Sequence, residues 1–464
     1  MVVNESLKQA LLQLPTTINQ LVVAYSGGLD STVLLHALHT LYPSHTDISP
    51  LPLATINKED GTVDDITFAP MAGKDVNSSL DITPAPSLRY WVGFKLSVLH
   101  VHHGLSPNAD AWAQHCQAFA QTLSLPIDIT YVDAKPKPGE SPEAAARRAR
   151  YGAFASMMSA EKALLLAHHA NDQAETVLLQ LLRGAGLRGI AAMPALTSFE
   201  TGSLLRPFLA VTRAELETYA KTHHLTWIDD ESNNNLDYKR NYLRHTIMPL
   251  LEKKWPATAS CLSRSAHHCA EAEELLQELA IADIVKAMDE DAEALKILPL
   301  RTLTLPRLHN ALRHWFTVCK LPLPSTVKLT EIVQTIIYGR HDAMPCVDWP
   351  GVEVRRFQHG LYAFPPLPVH DPAWRCEWDL KQDLVLPAKI GTLHAIDYQA
   401  LADGQPLVVA FRVGGEKLRL QGRQGHHSLK NMMQEWHIPP WLRCRIPLIF
   451  RQNELIAVVG YWIG

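Results

Sequence analysis

No Cys-x-x-Cys pair occurs in this chain of 464 residues, and its seven cysteines stand far apart, at 116, 261, 269, 319, 346, 376 and 444. A structural zinc site and an iron–sulfur centre are therefore not expected, and so few thiols make no disulfide framework. A reducing, cytoplasmic setting fits that usage. No apolar run reaches the ~18 residues of a bilayer span, so no membrane contact is expected. Met1–Pro15 lacks the basic-then-apolar pattern of a leader. No Lys-Ser or Lys-Thr follows a second glycine in the Walker A frame.

What is present is a globular composition, 47% hydrophobic and 19% charged, with a formal net charge of -4. The charge is uneven. Residues 407–464 hold eight Lys/Arg against three acids, so this tail is +5 and the remainder -9. A basic end suits a polyanionic partner, although a solvated basic face explains the charge as simply.

The length predicts two or three domains. Leu21–Tyr25, Leu96–Val101, Ile127–Val132 and Ala163–Ala167 read as strands. Leu29–Leu41, Asp110–Leu123, Ser141 to about Ser159 and Asp172–Leu182 read as helices. Ser141-Pro142-Glu143 is an N-cap with proline at the first helical position, and Thr212-x-x-Glu215 is a capping box. This alternation predicts an α/β fold, a doubly wound parallel sheet covered on both faces, with ligands beyond the carboxyl ends of its strands. Residues 42–89 have no steady period and read as a surface insertion. Leu236–Trp255 reads as a basic helix, Ala257–Ile297 as a long helix turning acidic, and Val408–Gly464 as a small α+β unit.

Ser26-Gly27-Gly28-Leu29-Asp30-Ser31 lies where a strand ends and a helix begins. Two glycines permit a tight turn and close approach of a ligand, and the helix N-terminus offers N–H groups and partial positive charge to phosphate. Asp30 would act on phosphate through Mg²⁺. Gly184-Ala185-Gly186-Leu187-Arg188-Gly189 imitates a dinucleotide fingerprint, but it follows a helix and reads as a helix end and turn. Five His-His doublets lie outside any metal-binding frame, and neighbouring side chains diverge, so zinc is not expected.

The loop resembles the S-G-G-x-D-S signature of the PP-loop ATPase superfamily. With His100-Val101-His102-His103-Gly104-Leu105, Glu143–Tyr151, His168–Thr176, Leu182-Arg183-Gly184 and Leu205-Arg206-Pro207-Phe208, the chain resembles the tRNA(Ile)-lysidine synthetase family. The likeness is strong over about 20–255 and moderate over Phe411–Gly464. His102 stands where that family often has Asn. The resemblance implies a ligase using ATP and Mg²⁺ to adenylate the wobble cytidine of isoleucine tRNA bearing a CAU anticodon, after which L-lysine displaces AMP. It implies a PP-loop domain at 1–225, a mainly helical tRNA-binding domain at 226–375 and a small basic tRNA-binding domain at 385–464. A homodimer is compatible with it.

Under that resemblance Ser26–Ser31, His100 and His103 bind ATP, with Asp30 holding the metal. Asp172 and Glu175 share a helix face, where they would bind lysine and help deprotonate its amine. Their alternative role is as N-terminal charges favoured by the helix dipole. Arg183 and Arg206 would neutralise phosphate charge, their alternative roles being a helix C-cap or a rim residue. Arg147, His169, Arg240, Arg244, Arg412 and Lys430 fall on the tRNA side, whereas Arg148 reads as a surface ion-pairing residue. The competing functions are another PP-loop adenylating enzyme, such as a tRNA thiolase or an amidating ligase, and a tRNA-binding module with an inert nucleotide site.

Overall fold

The computed structural model describes residues 2–42, 94–231, 235–289, 294–340, 344–419 and 425–463, and the chain divides into units Met1–Glu274 and Leu275–Gly464. The insertion expected at 42–89 lies, Tyr42 apart, outside the described residues.

The first unit opens with α1 (Val2–Leu12), β1 (Gln20–Ala24), α2 (Leu29–Leu41), β2 (Lys95–His102) and α3 (Ala109–Thr122). Next come β3 (Ile127–Tyr131), α4 (Pro142–Ser156), β4 (Lys162–Leu165), α5 (Ala170–Leu182) and α6 (Leu187–Ile190). Then β5 (Leu196–Phe199), β6 (Gly202–Leu205) and α7 (Arg213–Thr222) follow. The strands lie in the order β3-β2-β1-β4-β6-β5, parallel except where β5 meets β6. Strand order reverses between β1 and β4, which places the ligand crevice at their carboxyl ends.

Alternation along β1 builds both faces. Leu21 and Val23 join a core with Leu34, Leu38 and Leu216, so α2 and α7 cover that face. Val22 points the other way, into a core with Leu99, Leu164 and Phe154 of α4. Burial on both faces explains why these strands read as unbroken apolar runs. The local start signals also hold. Ser141 accepts a hydrogen bond from the Ala144 N–H, with Pro142 in the first turn, and Thr212 and Glu215 form a reciprocal capping box.

Two expected helices differ. Instead of one helix over Leu236–Trp255, the chain forms α8 (Lys239–Tyr242), a π-helical stretch Leu243–Ile247 and α9 (Met248–Lys254). Pro249 has no N–H for the preceding turn, which favours the wider turn ahead of it. The helix expected at Ala257–Ile297 is α10 (Thr258–Ala287), which stops ten residues earlier. Acidic residues from Asp289 onward oppose the dipole at a helix C-terminus.

The second unit holds helices Leu305–Val318 and Thr326–Glu331 beside a four-stranded antiparallel sheet that the helical periodicity did not announce. In its strand Val352–Phe357 the inward positions are Val352, Val354 and Arg356, and the charged third member obscures the alternation. Arg356 is buried because its guanidinium donates to the carbonyls of Ile336, Gly339 and Gln358. A five-stranded antiparallel sheet runs from Arg375–Trp378 to Trp462–Ile463 and so begins ahead of the α+β unit expected at Val408–Gly464.

Candidate active site

The turn after β1 is built by its own side chains. Ser26 Oγ meets Ser31 Oγ at 3.1 Å, and Ser31 Oγ donates to Gly28 O at 3.0 Å. Gly27 adopts φ +84°. A Cβ there would stand 2.8 Å from Ile228 Cδ1 and 3.0 Å from Cys116 Sγ, so the position needs glycine on two counts. Gly28 is the N-cap of α2 in extended conformation, which leaves the first N–H groups of that helix open to an anion. Burial pushes the Cys116 thiol up to about 12, which makes it inert as a nucleophile.

Around this turn lies a cleft of about 370 Å³. Its walls include Ser26, Asp30, His100, His103, Tyr151 and His168. The ends of β1, β2 and β4 thus converge as the alternation predicted. Buried His100 has Nδ1 2.9 Å from Tyr25 O, a bond that requires the Nδ1–H form and fixes the ring. Burial holds the pKa values of His100 and His103 below the ordinary histidine value, and that of His168 down to about 3. This wall is therefore neutral imidazole at physiological pH.

Asp30 is engaged from two sides. Arg213 Nη1 donates to it at 3.1 and 3.3 Å, and His169 Nε2 lies 3.6 Å from its Oδ2. Burial works against charge on His169, but Asp172 and Asp30 outweigh it and its pKa is raised. Arg213 went unnoticed in the sequence because it lies inside the Thr212-x-x-Glu215 capping box, which already accounts for its surroundings.

Asp172 and Glu175 do share one face of α5, and both are buried, Glu175 to 1% exposure. The structure fills that face with arginine. Arg240 reaches Glu175 at 2.7 Å and Asp172 at 3.1 Å, and Arg244 reaches them at 2.7 and 2.8 Å. Burial would raise the Asp172 pKa, but His169 and Arg240 overcome it and hold the group ionised. The two arginines expected on the tRNA side and the two carboxylates expected on lysine are thus one charge-balanced cluster.

A second cleft of about 490 Å³ adjoins the first and shares Arg213, Asp229, Asp230 and Arg244 with it. Its other walls include His169, Asn171, Glu175 and Glu252. Of these, Glu252 had no signal in the sequence, and Asn171 fell inside the His168–Thr176 motif without a role of its own.

The remaining expected residues lie elsewhere. Arg183 is the exposed C-cap of α5, and Gly184 after it takes φ +68°, so the glycine-rich fingerprint is indeed a helix end. Arg206 is buried and donates to Pro194 O at 2.8 Å. Neither arginine lines either cleft. Arg147 stacks over Tyr151 at 4.7 Å, and Arg148 pairs with Glu140 at 3.0 Å, as a surface residue should. In the second unit Arg412 faces Glu416 at 3.7 Å and Lys430 is exposed.

Comparison with known proteins decides the family. A relative from Coxiella burnetii, named tRNA(Ile)-lysidine synthase, is 38% identical over 98% of this chain and 92% of its own length. One of the same name from Legionella pneumophila (strain Paris) is 37% identical, covering 96% and 92%. This chain belongs to the tRNA(Ile)-lysidine synthase family. Family models agree along its length: a PP-loop domain at 73–251, a TilS substrate binding domain at 295–362 and a TilS substrate C-terminal domain at 407–464. The PP-loop match starts after Ser26–Ser31, but the alignment to the Coxiella synthase spans that turn. A solved U34-tRNA thiolase from Methanococcus maripaludis aligns at 14% identity and TM-score 0.40, covering 58% of this chain and 79% of its own, too weak a likeness to carry weight. For a tRNA(Ile)-lysidine synthase family member, the parallel sheet with its loop at the switch point is the PP-loop fold. Among the described residues no helix is long and apolar enough to cross a membrane.

Proposed function

We infer that this chain is a carbon–nitrogen ligase that joins L-lysine to C2 of the wobble cytidine of isoleucine tRNA bearing a CAU anticodon, in the cytoplasm. The observation that carries this is the pair of adjoining clefts sharing one wall, with a phosphate turn in the first and a charge-lined cavity in the second. Two sequential displacements at one base need that arrangement. In the first, the cytidine O2 attacks the α-phosphorus of ATP, a P–O bond forms and pyrophosphate departs. In the second, the lysine side-chain amine attacks C2, the C2–O bond breaks, AMP leaves with the oxygen, and the amine gives up a proton.

The residues divide this work. The Ser26–Gly28 turn and the start of α2 hold phosphate, and the Gly27 cradle has no room for a side chain. Asp30 is the carboxylate that fits Mg²⁺ alongside the nucleotide's phosphates, since that ion needs one or two protein carboxylates. The bound ion would supply charge neutralisation at phosphate. Asp30 must first exchange its Arg213 partner. His169, held between Asp30 and Asp172, orients the carboxylates. Lys430 and Arg412 belong to the terminal basic domain and would contact tRNA phosphates.

The test is incubation of the full chain with ATP, labelled lysine and a panel of tRNAs. Label should enter the CAU-anticodon isoleucine tRNA, with stoichiometric AMP. Label in no tRNA, or AMP release without lysine transfer, refutes the assignment.

A further inference from the structure

Four half-buried aromatic residues of the second unit, Phe357, Tyr362, Phe364 and Trp441, lie outside both hydrophobic cores they stand beside. In strands Val352–Phe357 and Gly360–Phe364, Val352, Val354 and Leu361 point into the core of the four-stranded sheet. Alternation turns Arg355, Phe357, Tyr362 and Phe364 to the opposite face. The terminal domain supplies the cover for that face. On its short helix Pro440–Arg443, Leu442 packs into a core with Leu418, Met433 and Leu448, whereas Trp441 stays out of it.

Trp441 is set against the sheet instead. Its ring stacks on Phe364 at 5.7 Å between centroids and meets Tyr362 and Phe357 edge-on at 5.5 and 6.2 Å. The Arg355 guanidinium lies 5.7 Å from the same ring. These are the separations of favourable aromatic pairs and of a cation–π contact. Pro439 and Pro440 fix the backbone where the helix begins, and so the direction in which Trp441 leaves it. The turn that follows ties down the connecting segment 365–374. Arg445 donates to Pro368 O, and His370 Nε2 donates to Cys444 O at 2.8 Å.

We propose that Trp441, clamped over Phe357, Tyr362 and Phe364, is a positioning residue that joins this sheet and the basic terminal domain into one preformed tRNA-binding surface. The proposal rests on the tRNA-ligating reading above. Rings that belong to neither core set the orientation of the two parts and leave the folding of each to its own interior. Ordering the parts before tRNA arrives removes that entropy cost from binding, and basic groups held at a fixed place act on phosphates at high effective concentration. Opening the clamp therefore weakens tRNA capture and leaves the chemical step untouched.

The test measures lysine transfer to CAU-anticodon isoleucine tRNA by the full chain as wild type, Trp441→Ala, Tyr362→Ala, the double variant and Trp441→Phe, with circular dichroism to check folding. Trp441→Ala should raise the KM for tRNA about 5–20-fold and leave kcat and the KM for ATP alone. Tyr362→Ala should act in the same direction from the other side of the contact. The double variant should be no worse than Trp441→Ala, since one clamp opens only once. Trp441→Phe keeps a ring and should recover most of the affinity. A folded Trp441→Ala with unchanged KM for tRNA, a loss in kcat instead, or losses that multiply in the double variant overturn the proposal. Unfolding of both single variants makes the cluster a core element and overturns it equally. Absence of transfer by wild type overturns the ligase reading and the clamp together, whereas intact transfer with an unmoved KM overturns the clamp alone.

Discussion

Replacing Glu175 by glutamine should destabilise the first unit far more than so small a change suggests. In the native cluster two carboxylates, Asp172 and Glu175, balance two guanidiniums, Arg240 and Arg244. The Glu175 side chain is 1% exposed, so water cannot compensate for its loss. Glutamine retains one acceptor but turns an N–H₂ group toward an arginine donor, and the cluster acquires one uncompensated positive charge. Breaking a buried ion pair by removing one partner costs about 3–5 kcal/mol. With roughly 2–4 °C per kcal/mol for a domain of this size, the midpoint of thermal unfolding should fall by about 6–20 °C. Scanning calorimetry or circular dichroism on the full chain reads this directly. Adding Arg240→Gln restores the charge count, so the double variant should lose less than the sum of the singles, by about 1 kcal/mol or more. A single variant within about 2 °C of wild type, or strictly additive losses, would refute the picture of a closed charge-balanced cluster.

Three further outcomes follow from the geometry. Gly27→Ala forces a side chain onto φ +84° and against Cys116, so it should cost about 1–2 kcal/mol in backbone strain and weaken ATP binding; unchanged ATP affinity by calorimetry would contradict the cradle. The raised pKa of His169 means its stabilising contribution is full below the unfolded value of 6.5 and is lost as pH rises through the folded value. Denaturant unfolding of His169→Asn should therefore show its largest deficit at about pH 5–6 and a shrinking one toward pH 9, and a deficit independent of pH would dismiss the charged pairing. Lys430→Glu should weaken tRNA binding at every sequence and lower the salt slope by about one, as filter binding across salt concentrations would reveal; an unchanged slope removes Lys430 from the phosphate contacts.

How much of this was legible depended on distance along the chain. The Ser26–Ser31 turn was readable because strand, glycines, serines and helix start are contiguous, and its chemistry is local. The Ser141 and Thr212 caps were readable for the same reason, as was the alternation that implied a parallel sheet with its crevice at the strand ends. The shared helix face of Asp172 and Glu175 followed from spacing alone. What they touch did not: Arg240 and Arg244, four apart and so on one helical face, meet Glu175 from 65 and 69 positions away. Arg213 reaches Asp30 across 183 positions, and Glu252 reaches Asn171 across 81.

The sequence by itself determined the fold class, the phosphate turn and the family, because each is written in short-range patterns of residue type. Tertiary structure alone decided which charges are paired. A carboxylate and a guanidinium cancel only when folding brings them within hydrogen-bond distance, and no local pattern records that. The buried acids expected to await a ligand already have partners.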